Sequence, residues 1–204
     1  VQTCALPISS FAATKTTVVK GNLIIGSDAE EAEKITDISA LASLKEVTGN
    51  IVIRNSYNGA DLTGLDNIVS AGGLQVGSTD VASKATELHM ISMKALETLS
   101  GDISVYNDQV TYVLFEKLAT IEGRVMFNAS SLQSFEFPVL TTVGQDLNLQ
   151  GLNEENTAAG SIASLEIPEL TSVGGVLSVN NLAKLTSMSF LKLKETGGLD
   201  FQDR

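Results

Sequence analysis

Two carboxylates and a guanidinium in this 204-residue chain recur at a spacing that could gather them on one surface. Asp102, Arg124 and Asp146 follow one another at intervals of 22 residues, each one position past the opening of a repeated segment. In a stack of parallel strands, equivalent positions of neighbouring repeats lie about 4.8 Å apart. Acids stacked that way could do the general acid–base work of polysaccharide cleavage. They could also form an exposed ion-pair ladder with Arg124, worth at most about 1 kcal/mol, and the ladder is the favoured reading.

The rest of the chain offers little further chemistry. His89 is the only histidine, and its neighbours Leu88, Met90 and Ile91 place it at a core margin. One histidine without cysteines or several carboxylates does not make a zinc site. The single cysteine, Cys4, excludes a disulfide framework and a thiolate cluster. The doublets Gly72-Gly73, Gly174-Gly175 and Gly197-Gly198 stand at segment openings, where they serve backbone geometry and not phosphate binding. The reading is therefore of a non-enzymatic chain with no cofactor and no metal.

The elements that position these residues are the repeats. Segments open at Gly21, Gly49, Gly72, Gly101, Gly123, Gln145, Gly175 and Gly197, at spacings of 22 to 30 residues. The second and fourth residues after each opening point to one face of a strand. They are Leu23 and Ile25, Ile51 and Ile53, Leu74 and Val76, Ile103 and Val105, and then Val125 and Phe127. Leu147 and Leu149, Leu177 and Val179, and Leu199 and Phe201 complete the series, all of it apolar. A second apolar arc precedes the openings, with Leu44, Leu96, Leu118, Leu140 and Leu170 five positions before them and Leu41, Met93, Phe115, Phe137 and Ile167 eight positions before them. No segment can bury its own apolar positions, so the segments must stack.

This pattern predicts a mainly all-β fold, a right-handed parallel β-solenoid of about eight coils with short insertions. Pro138 and Pro168 each follow a buried position and mark turns. Near the last opening the arc fits one residue later, which predicts a one-residue irregularity there. Ser27 followed by acidic residues predicts a short helix over 27–34, while 78–87 and 151–163 read as insertion loops. Residues 1–8 resemble the translation of a sequencing-library adapter and are set aside as a non-native scar. Residues 9–18 are a lead-in, and 19–204 form a single solenoid domain, read as a fragment that continues at both ends.

The stretches GNLIIGS, ITDISALASLKEVTGNIVI and LTGLDNI resemble the receptor L-domain family, leucine-rich-repeat-like domains of receptor ectodomains. SLQSFEFPVLTTVGQDLNL and SLEIPELTSVGGVLSV are similar to related repeats of bacterial cell-surface proteins. The resemblance spans about 19–201 and rests on glycine and apolar positions, so it speaks to fold more than to ligand. It implies adhesion or ligand binding outside the cell, with a protein or glycan as partner. The chain lacks the cysteines of the receptor versions, which favours a microbial surface protein.

A net charge of −11, from 24 acidic and 13 basic residues, argues against nucleic acid and anionic membrane partners. No apolar run reaches the length of a membrane helix. The outward strand positions, together with the insertion loops, carry the candidate ligand-binding surface. Ile24, Val52 and Met126 stand there as exposed apolar residues, with Arg54, Tyr106 and Arg124 beside them. Two alternatives remain open, a β-helical carbohydrate-active enzyme and a purely structural spacer.

Overall fold

The computed structural model describes residues 15–29, 31–78, 87–151 and 161–202. Eight coils stack in parallel. Their face strands lie in Leu23–Ile25, Glu46–Ile53, Ser70–Val76, Ile103–Tyr106, Val125–Asn128, Leu147–Gln150, Ser172–Asn180 and Glu195–Gln202, numbered here as coils 1 to 8. Leu23, Ile51, Leu74, Ile103, Val125, Leu147, Leu177 and Leu199 stand side by side along the ladder. The repeat read from the sequence is therefore the register of the sheet.

Each coil turns a corner just before its face strand, and two residues at that corner pair with their neighbours above and below. Val18–Val19, Thr98–Leu99, Thr120–Ile121 and Thr142–Val143 are separate short strands. In coils 2, 3, 7 and 8 the corner and face strands run together. The back of the stack carries Met90–Ser92, Tyr112–Leu114 and Ser134–Glu136 as one sheet, and Ser164–Glu166 with Ser187–Ser189 as another. Pro138 and Pro168 sit in turns directly after two of these back strands, where no ladder donor is needed.

The core is one continuous apolar column. Of the inward positions of the face strands, all but Leu23, Leu199 and Phe201 are buried. The second arc closes it from behind, and in its middle Phe115 stacks on Phe137 at 5.2 Å while Phe135 meets Phe127 edge-on at 5.0 Å. The register irregularity expected at the last coil is present, between Val173 and Val176 of coil 7. An equivalent one lies between Val47 and Asn50 of coil 2.

Two local expectations are corrected. No helix forms over the described residues of 27–34. Ser27 Oγ accepts from Ala29 N at 3.2 Å, a two-residue turn, and Asp28 Oδ1 accepts from Asn55 N at 3.2 Å on the next coil. Those bonds commit the would-be first turn to the neighbouring coil, and one helical turn is too short to nucleate against them. His89 is exposed, not at a core margin, with Nδ1 3.0 Å from the Gln109 carbonyl oxygen. The scar at 1–8, most of the lead-in, and the interiors of both insertion loops lie outside the described residues.

Candidate functional site

Along the openings of the coils runs a seam of glycines. A Cβ at Gly123 would stand 2.5 Å from the carbonyl carbon of Gly101, and one at Gly72 would stand 2.6 Å from Gly49 O. Backbones of adjacent coils approach there more closely than any side chain permits. The residue just past the seam uses that space. Asn22 Oδ1 accepts from Asn50 N at 2.8 Å, Asp102 Oδ1 from Arg124 N at 2.8 Å, and Asp146 Oδ1 from Val176 N at 2.9 Å. In each case the side chain passes over a glycine of the next coil: Gly49, Gly123 and Gly175 would place a Cβ within 2.3 Å of that oxygen.

The Asp102–Arg124–Asp146 series is therefore a set of side-chain-to-backbone latches, and no ion pair joins Arg124 to either acid among the described residues. The sequence hides this arrangement for a physical reason. An acid in register with an arginine reads as a charge pair, whereas the informative neighbours are the asparagines Asn22 and Asn50 at the same position. Asn and Asp share the accepting Oδ1 and not the charge.

The strand face beside the seam carries the six candidate ligand-binding residues, and they fall into two groups. On coils 1 and 2, Ile24 is 48% exposed and Arg54 pairs through Nη1 with Asp28 Oδ2. On coils 4 and 5, the Tyr106 hydroxyl donates to Met126 Sδ, both side chains are half-buried, and Arg124 is exposed. Coil 3 lies between with Gly73, Gln75 and Gly77, a low rung whose Gln75 Nε2 folds back to Gly77 O at 3.2 Å. A hollow of about 300 Å³ opens there, lined by Asn50, Gln75, Asp102 and Ser104.

One member departs from expectation. Val52 is only 6% exposed. It lies between Ile24 and Gln75 on the ladder, so neighbours flank it on both sides and it supports the surface more than it presents one. Alternation along a strand tells inward from outward; it does not tell how tall the flanking side chains are.

Among the described residues no group of three or more His, Cys, Asp or Glu side chains is placed to hold a metal. No helix there is long and apolar enough to cross a membrane. Among the charged groups on the coil backs, Lys94 Nζ meets Asp66 Oδ2 at 2.9 Å and Lys192 Nζ meets Glu169 Oε2 at 2.6 Å, bridges that tie one coil to the next. Both lysines are more than half exposed, so each bridge contributes little.

No curated protein and no solved structure matches the chain. Residues 15–86, which include the face strands of coils 1 to 3, match the family model of the Receptor L domain, so this part of the chain is similar to that family.

Proposed function

We propose that the protein is a non-enzymatic recognition module that works outside the cell and holds a protein ligand against its strand face. The observation that carries this reading is the pairing of two groups on one flat sheet. Ile24 with the Arg54–Asp28 pair and the Tyr106–Met126 pair with Arg124 stand on either side of the low third coil. Arginine, tyrosine and methionine are the residue types that protein interfaces enrich. The Receptor L domain match supports a ligand-binding role. Adhesion at a cell surface is the setting that this role and the family resemblance favour.

The stacked acids favour this reading over the enzyme alternative. Asp102 and Asp146 each accept a backbone N–H of the following coil through Oδ1, which supports a structural use for both. An array of secreted and surface proteins, probed with the wild-type chain and with Ile24→Asp/Met126→Asp, tests the proposal. Binding by the wild type that the variant loses by about tenfold or more supports the strand face. Equal binding by both would overturn it. Val52→Asp is unsuitable as a control, because it would bury an unpaired charge and destabilise the sheet.

A further inference from the structure

Around the corner from the strand face, the stack has a groove that the proposal above does not use. Between Val47 and Asn50, coil 2 carries Thr48 and Gly49; between Ala71 and Gly73, coil 3 has Gly72 alone. Coil 4 again has two residues, Ser100 and Gly101, between Leu99 and Asp102. Coil 3 thus takes the corner one residue short. The shortfall leaves a depression of about 490 Å³ that crosses coils 2 to 5.

Its two walls are columns of small polar side chains. Glu46, Ser70, Thr98 and Thr120 stand in register on the corner strands. Thr48, Ser100 and Glu122 form the opposite wall. Buried Ala71 and the bare Gly72 backbone lie between them. At about 4.8 Å per coil the groove is about 14 Å long. Thr48 Oγ1 accepts from Gly21 N at 2.9 Å, so its O–H is left to donate outward. The hydroxyls of Ser70, Thr98, Ser100 and Thr120 take part in no intramolecular hydrogen bond among the described residues.

We infer that this groove binds a neutral oligosaccharide lying along the solenoid axis. Each class of ligand meets a different physical condition there. The corner strands of coils 2 to 5 are paired on both sides, so no free edge is offered to an extended peptide. No lining residue is aromatic, and the larger apolar ones, Val47 and Leu99, are fully buried in the floor, so little anchors a hydrophobic side chain. Glu46 and Glu122 at the two ends repel polyanions, which removes nucleic acids and acidic glycans. What fits is a chain of uncharged hydroxyls. Each can both give and take a hydrogen bond with Ser and Thr, and can donate to the end carboxylates. Without an aromatic platform the affinity is modest, with Kd on the order of 1 mM.

The test is amide chemical-shift mapping on the whole isotope-labelled protein with millimolar hexaoses of neutral glucose and mannose, and a hexauronate as the charged control. Saturable shifts at Ser70, Thr98 and Ser100 with a neutral hexaose, and none with the hexauronate, are the expected result. Thr98→Ala/Ser100→Ala, checked for an unchanged melting curve, weakens that binding by about tenfold. Ile24→Asp/Met126→Asp leaves it unchanged, which separates this site from the strand face. Absence of shifts with every neutral hexaose, shifts confined to other faces, or full affinity in the Thr98→Ala/Ser100→Ala protein would each overturn the inference.

Discussion

At the scale of single residues, the stack is held by contacts that leave no room for a methyl group. Gly123→Ala would set a Cβ 2.2 Å from Asp102 Oδ1 and 2.5 Å from Gly101 C. The acid could swing away, but the Gly101 backbone could not. Gly123→Ala is therefore expected to cost about 2 kcal/mol or more in denaturant unfolding, and adding Asp102→Ala should not restore it. Recovery in the double variant would show that the acid alone fills the space. Tyr57 offers a pH test. Burial, followed by the charges of Asp61 and Asp37, pushes its hydroxyl up from 10.0 to about 12, and the hydroxyl donates to Asp61 O. A raised folded-state pKa means that the neutral phenol's contribution is whole below pH 10 and is lost as pH climbs toward 12. Tyr57→Phe should lower stability at neutral pH and flatten the decline of stability across that window. Parallel curves for the two proteins would contradict the assignment. None of this is legible in the sequence, where Asp102 pairs by type with Arg124 and Tyr57 stands in no repeat position. Side-chain type gives charge, but which backbone N–H an oxygen reaches is set by the close approach of two coils.

Elements were far more legible, because their signal is periodic and repeated. The glycine openings with apolar residues two and four positions on fixed the face strands and their register, and the second arc fixed the back. Phe127, an inward residue of its face strand, is buried and meets Phe135 of the back edge-on. Phe127→Ala should cost about 3–5 kcal/mol in an equilibrium unfolding curve, and a loss under about 1 kcal/mol would mean that the coils do not share one close-packed core. The misses have a common origin in what happens between repeats. The helix expected at 27–34 yields to bonds from Ser27 and Asp28. Val52 is shielded by its ladder neighbours. The short corner of coil 3 appears only in the register between Val47 and Asn50. Acid pH probes one of these inter-repeat turns. Asp61 accepts from Thr63 through both Oγ1 and N, and the bond from the Thr63 side chain, then that from its backbone, lowers its pKa below 3.8. A depressed carboxyl contributes stability present above its unfolded value and lost as pH falls through its folded one. Asp61→Asn should therefore lose less stability than the wild type on acidification below pH 3.8, as read by urea midpoints.

At the scale of the molecule, stacking gives a single core enclosed by the strand face, the corner and the back. The last described strand, Glu195–Gln202, pairs along one edge with Ser172–Asn180 and along its other edge with no strand among the described residues, and its Leu199 and Phe201 are 59% and 45% exposed. Such an edge invites pairing with another chain. Leu199→Lys/Phe201→Glu should reduce concentration-dependent association in sedimentation while leaving the melting curve nearly unchanged, since neither side chain is buried. The strand face was legible as a surface but not as two groups parted by a low rung, because that division depends on the glycines of coil 3 and the bond of Tyr106 to Met126. The most direct measurement of the central claim is a hydrogen-exchange footprint of the protein with a bound protein ligand selected on the array. Protection should concentrate in Leu23–Ile25, Ile103–Tyr106 and Val125–Asn128, with the back strands unchanged. Protection on Met90–Ser92, Tyr112–Leu114 and Ser134–Glu136 instead, with the face strands exchanging as in the free protein, would contradict the account.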